Sequence, residues 1–151
     1  DHPGALSTYL FTERLWGAMA LDHPPAGLTQ ELPLEALVDQ TFLTLSPGHR
    51  LSHIVAGLSA RAGGRVSDEY EGTSLDAIRL MAATGAGLAI LPSIYAAVEA
   101  RRGTDVCLRV LSDPTAKRDI ALIQPALPEP RAGSDILAEV LRREALDLLG
   151  P

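Results

Sequence analysis

At 151 residues the chain has the length of one ordinary domain, with apolar material for one sizeable core and too little for two. Hydrophobic residues at 46% and charged residues at 21% exclude a disordered chain and a membrane-resident one, and 13 Lys+Arg against 19 Asp+Glu, a net charge of -6, argue against direct contact with a phosphate backbone. The lone cysteine, Cys107, excludes an internal disulfide and a CxxC metal or redox pair.

The chain opens on Asp1-His2-Pro3-Gly4 with neither an initiating Met nor a basic and then apolar leader, and reads as a boundary within a longer protein. Beyond it, apolar runs of strand length alternate with amphipathic stretches of helical period, the pattern of an α/β layered fold with mostly parallel pairing. The first expected strand covers residues 15–21 and is stopped by Asp22-His23-Pro24-Pro25, because proline fixes φ and removes a backbone donor. Pro33 to Val38 reads as a short helix, Phe42 to Leu45 as a buried strand and Ser46-Pro47-Gly48-His49 as a turn. Leu51, Ile54, Val55 and Leu58 then share one helical face, ended by Gly63-Gly64. In the polar stretch that follows, Asp68, Glu69 and Glu71 read as a solvated strand face, and Thr73 or Ser74 caps a helix whose core face is Leu75, Ile78, Met81 and Ala82. Asp76 sits in that helix's first turn, where the dipole favours negative charge.

Gly85-Ala86-Gly87 ends the helix, and Leu88 to Leu91, wholly apolar and closed by Pro92, reads as a central parallel strand. A helix over Ser93 to Arg101 stops at Gly103, and strands are expected at Val106 to Val110 and Asp119 to Gln124. The Pro-rich loop Pro125 to Pro130 leads to a last helix, Ser134 to Leu149. There Ile136, Leu137, Val140, Leu141 and Leu148 line one face, and Glu139, Arg142 and Arg143 line the other.

Enzymatic readings fail on residue grounds. Gly57-Leu58-Ser59-Ala60-Arg61 lacks the second glycine of a nucleophile elbow and falls inside a helix. His49 and His53 have metal-ligand spacing, yet no Glu follows His49 and no third ligand is near in sequence. Gly85-Ala86-Gly87 lacks the third glycine of a dinucleotide fingerprint and follows a helix. The chain is therefore expected to be no enzyme and to use no cofactor or metal. His49 and Arg50, by contrast, stand at the entry to a helix, where free N–H groups and the dipole attract anions and an arginine adds a forked donor. Thr44, Ser46, Thr73 and Ser74 lie at neighbouring strand ends, the binding edge of a parallel sheet, although Ser74 serves equally as a plain N-cap and Arg50 as a solvated charge. Cys107 falls in a strand, where a free cysteine ordinarily packs as a small hydrophobe.

The run from Glu71-Gly72-Thr73-Ser74-Leu75-Asp76 through Gly85-Ala86-Gly87 to Leu88-Ala89-Ile90-Leu91-Pro92 resembles the signature of effector-binding domains of LysR-type transcriptional regulators. In that family a strand, a Ser/Thr-capped helix, a G-x-G turn and an apolar strand ending in Pro follow in this order. Asp22-His23-Pro24 and Phe42-Leu43-Thr44-Leu45-Ser46-Pro47-Gly48-His49 are similar to two further family segments, and the resemblance covers about residues 10 to 149. Within the family, Gly48-His49, the spacing onward to Thr73-Ser74, and Lys117-Arg118 look like OxyR-type hydrogen-peroxide sensors.

The resemblance implies two Rossmann-like subdomains of the periplasmic-binding-protein type with an effector cleft between them. Residues 22–117 would form the second subdomain, and residues 1–21 and 118–151 the later part of the first. The first subdomain's opening elements, and the winged helix-turn-helix that contacts DNA, would lie outside this sequence. The implied cleft residues are Thr44, Ser46, Pro47, Gly48, His49, Arg50, Thr73, Ser74 and Arg118. The implied partners are a small-molecule effector with an anionic group, a second copy of the protein, and DNA only through that other domain, in the cytoplasm and away from membranes. The peroxide sensors' two switch cysteines correspond here to Arg50 and Ser59, neither of which forms a sulfenic acid or a disulfide. A periplasmic solute-binding protein, which shares the architecture, and a single-cysteine redox sensor using Cys107 are the alternatives. Strands at 15–21 and 119–124 are also expected to lack neighbours, leaving open edges and a half-covered last helix.

Overall fold

One long strand organises the molecule. In the computed structural model, which describes residues 4–27, 31–98, 100–103, 105–127 and 131–150, β1 runs from Ala5 to Met19. The boundary residues Asp1-His2-Pro3, Glu99 of the expected helix and residues 128–130 of the proline loop lie outside the described residues. Over Ala5 to Arg14, β1 pairs antiparallel with β6 (Lys117–Pro125), with a bulge between Tyr9 and Phe11. Over Leu15 to Met19 it lies between β4 (Leu88–Pro92) and β5 (Cys107–Val110), antiparallel to both. The first strand thus starts ten residues before the expected 15–21 and ends two before it. Its first part pairs on one edge only and carries a mixed polar and apolar pattern that does not stand out as a buried run.

β2 (Thr41–Leu45) lies between β3 (Arg65–Gly72) and β4 and is parallel to each, giving the order β3-β2-β4-β1-β5 with β6 on β1. The expectation of mostly parallel pairing therefore holds for β2, β3 and β4, while every pairing of β1 is antiparallel. Nor does the 15–21 segment lack neighbours, since β4 and β5 flank it on both sides.

Alternate residues of the central strands enter two cores. On one face Phe42, Leu88 and Ile90 meet Leu51, Val55 and Leu58 of α1 (Arg50–Ala62); on the other Leu43, Ala89 and Leu91 meet Ile78 and Ala82 of α2 (Leu75–Ala83). Two strand faces, each covered by a helix, make a mixed α/β sheet of the kind expected. Gly63 ends α1 in the left-handed region at φ 73, as the Gly63-Gly64 pair predicts. The expected helix over 33–38 is a single 3₁₀ turn, Leu34–Leu37. That over 93–101 is shorter than expected: α3 spans Ser93–Val98 and a 3₁₀ turn, Ala100–Arg102, follows.

The last helix, α4 (Ser134–Leu149), has the expected bounds but buries small residues: Ala138 and Ala145 face the molecule, and Arg142 Nη2 donates to the Tyr9 carbonyl at 2.5 Å. The apolar residues Ile136, Leu137, Val140, Leu141 and Leu148 instead face solvent, at 36 to 71% exposure. Alanines let the helix lie close on β1, and the larger stripe stays outward; Leu6, Tyr9 and Ile123 of the β1–β6 ladder are exposed as well.

Candidate functional site

The turn after β2 is built by backbone. Ser46 N–H donates to Gly72 O at 3.2 Å, tying the ends of β2 and β3, and His49 N–H donates to Ser46 O at 3.1 Å. The register Thr44↔Glu71 and Leu45↔Gly72 brings Thr44, Ser46, Pro47, Gly48, His49 and Arg50 to the same sheet edge as Thr73 and Ser74. Gly72 is required there, because a Cβ on it would stand 2.2 Å from Ile78 Cγ2. Pairs Phe42↔Leu88 and Leu43↔Ala89 make β4 parallel to β2, so the ends of β2, β3 and β4 form the carboxyl edge of three parallel strands.

Within this group the side chains differ. Thr44 is buried, and its Oγ1 has no hydrogen-bond partner among the described residues. His49 occupies the N-cap of α1 without a side-chain cap bond; its carbonyl instead accepts from Ser52 Oγ at 2.5 Å. His49 and Arg50 are exposed, and no hydrogen bond to a described residue holds Arg50. Ser74 caps α2, its Oγ accepting from Ala77 N–H at 3.1 Å.

Arg118 belongs to a second cluster, at the point where β1 leaves β6 for β4 and β5. Its Nε donates at 2.7 Å to Oε1 of Glu13, the residue opposite it in the ladder, and Ile94 N–H donates to Glu13 Oε2 at 2.9 Å. Glu13 is fully buried. Beside it Trp16 Nε1 donates to Ser93 Oγ at 2.9 Å, and Ser93 Oγ donates to Arg14 O at 2.7 Å. A cavity of about 480 Å³ opens here between β1, α3 and the end of α4, lined by Phe11, Arg14, Trp16, Ser93, Ala97 and Leu149 among others; none of the nine expected site residues lines it. Sequence reading missed Glu13, whose signal is an acidic residue inside a strand-forming run ahead of Leu15-Trp16.

A third cluster clamps α2 to α3. Tyr95 OH donates to Asp76, Arg79 Nε donates to Tyr95 OH at 3.1 Å, and Arg79 Nη1 pairs with Asp105. Burial, and then the bond to the Asp76 carboxylate, push the Tyr95 phenol up to about 12, while the bond to Tyr95 is the main cause that raises Arg79. Cys107 is half-buried, its Sγ 3.7 Å from Ala26 O and packed against the first core. Among the described residues no three His, Cys, Asp or Glu side chains converge as metal ligands, and no helix is long and apolar enough to cross a membrane.

A mixed sheet with helices on both faces, a polar carboxyl edge and a strand crossing between two ladders define the class: this chain belongs to the LysR substrate-binding domain family, whose model matches residues 1–146. Within that family it is similar to regulators named for hydrogen peroxide. It is 31% identical over 133 residues to the hydrogen peroxide-inducible genes activator of Pectobacterium carotovorum and to the DNA-binding transcriptional dual regulator OxyR of Escherichia coli, covering 88% of this chain and 43% of each relative. The hydrogen-peroxide-bound cysteine-to-serine mutant of Corynebacterium glutamicum OxyR superposes with TM-score 0.82 at 28% identity, covering 99% of this chain and 47% of that one. The reduced OxyR regulatory domain of Pseudomonas aeruginosa gives 0.74 at 27%, covering 95% and 66%. The chain thus spans less than half the length of the curated relatives it matches. It is an OxyR-like effector-binding domain of the LysR type.

Proposed function

We propose that the chain is the sensing part of a cytoplasmic, dimeric LysR-type regulator, non-enzymatic, that takes a small oxyanion-bearing effector at the carboxyl edge of β2, β3 and β4. The expected boundary at residues 21 and 22 moves up the chain: residues 22–117 together with the Leu15–Met19 end of β1 form one subdomain, the Ala5–Arg14 part of β1 with residues 118–151 belongs to the other, and another part of the protein contacts DNA. One observation carries the site: the buried, unpartnered hydroxyl of Thr44 near the carboxyl end of β2, whose following turn leads into α1. A buried polar group without a partner costs about 1–3 kcal/mol, a cost that a ligand hydrogen bond removes. The peroxide in the relatives' names does not transfer as thiol chemistry, because Arg50 and Ser59 stand where the resemblance places the reactive pair. Arg50, being exposed, contributes in the surface-pair range of about 0–1 kcal/mol, less than a buried arginine would.

Thr44→Val tests the site. It removes the hydroxyl while keeping the shape, so the full-length protein becomes more stable by about 1–3 kcal/mol and loses the thermal shift that carboxylates give the native protein. Unchanged stability together with an undiminished carboxylate shift would refute the site.

A further inference from the structure

Among the described residues Glu13 is the one charged residue that is buried, and both of its oxygens are engaged, one by Arg118 Nε and one by Ile94 N–H. Its position is the crossing: Arg14, the next residue, is the last to pair with β6, and Leu15, one further on, is the first to pair with β4. Arg118 spends only Nε on Glu13. Its terminal nitrogens have no hydrogen-bond partner among the described residues, and its side chain is 29% exposed, so a solute can reach it.

A guanidinium already holding one carboxylate offers its remaining donors to a second oxyanion, but the two like charges then oppose each other. Glu13 is therefore chemically a ligand of Arg118 that is part of the protein. We propose that Glu13 is a latch which a small oxyanion loosens from Arg118, so that an anion held by Arg118 reaches the first turn of α3 and the crossing of β1. The inference rests on the sensing function proposed above and adds, apart from the Thr44 edge, a second point at which an oxyanion is read. Once Arg118 turns to the incoming anion, Glu13 retains Ile94 N–H alone. A buried carboxylate so poorly satisfied must admit water or move, and β1, β6 and α3 all meet at that carboxylate.

Acetate and inorganic phosphate are the probes, used on the full-length protein with hydrogen exchange at Ile94 and the Arg118 Nε–H resonance as readouts. Either probe shifts the Arg118 resonance and speeds exchange at Ile94 in the native protein. Glu13→Gln, which removes the competing charge and keeps an acceptor for Ile94 N–H, binds acetate about threefold or more tightly, in line with the worth of a partly exposed ion pair, and its Ile94 exchange no longer changes with the probe. A merely structural Glu13 would weaken binding on substitution. Weaker or equal acetate binding by the variant overturns the latch, as does a probe that reaches Arg118 without loosening Ile94, or one that never reaches Arg118. The native titration decides alone if the variant does not fold. Loss of the latch leaves the Thr44→Val result, and with it the sensing site, standing or falling separately.

Discussion

Ser74 holds two possible roles apart, because its Oγ accepts from Ala77 N–H at 3.1 Å while its proton remains available to a ligand. The cap closes one of the orphan donors of α2, a short helix that supplies Ile78 and Ala82 to the second core. Ser74→Ala leaves that donor to water at an exposed position, so the loss is about 1 kcal/mol, near the middle of the range for caps. For a domain of this size that lowers Tm by about 2–4 °C. Ser74→Asp keeps an acceptor and places negative charge at the positive end of the helix, so stability stays within about 0.5 kcal/mol of the native protein. The same aspartate repels an oxyanion at the strand edge. Urea denaturation with unchanged m-value, together with calorimetric titration of carboxylates, separates the outcomes. The reasoning fails if Ser74→Ala unfolds like the native protein, or if Ser74→Asp binds carboxylates undiminished.

Phe42→Ala, at a fully buried ring between β2 and α1, costs about 3–5 kcal/mol in urea unfolding, because the surrounding side chains cannot close the void. Gly72→Ala drives a Cβ against Ile78 Cγ2 and costs about 1–3 kcal/mol, visible as a lower Tm and a loosened α2. The Tyr95 phenol titrates at about 12 against an ordinary 10.0, read by ultraviolet difference absorbance, and Asp76→Asn brings it down. Since its folded value is raised, the stability it contributes is complete below 10.0 and is lost as pH rises towards about 12. Asp113, held low chiefly by the Thr115 hydroxyl, acts in the opposite sense: its contribution is present above the ordinary carboxylate value and falls away in acid, which Thr115→Ala reduces.

The parallel half of the fold was legible because its signals are local. Leu51, Val55 and Leu58 repeat at helical period, Leu88 to Pro92 is wholly buried as its composition demands, and Gly63 terminates α1 as a left-handed cap. Over Ala5 to Arg14, however, one ladder edge pairs with no strand among the described residues and only Leu10 and Glu13 are buried, so little apolar signal marks the strand. On α4 the periodicity gave the helix and not its orientation: the face that binds β1 is made of Ala138 and Ala145, whose close approach outweighs the larger apolar stripe. At the candidate site, residue types at the strand ends single out Thr44 and Ser74 as expectations, and Arg118 enters only through the family resemblance. Glu13 stayed hidden because its meaning comes from Arg118, which lies 105 residues away in sequence, and from the Ile94 amide of another element.

The β1–β6 ladder joins Ala5 to Pro125, so it closes a loop of about 120 residues, whose entropy cost is about 4 kcal/mol. The β2–α1–β3–α2–β4 unit, in contrast, pairs each strand with a near neighbour in the chain. Sequence separation therefore favours the parallel unit forming first and the β1–β6 ladder closing last. The same order runs backwards under stress: the Ala5–Arg14 part of β1, all of β6 and α4 come away as one cooperative piece, and limited proteolysis cuts there before it cuts the parallel core.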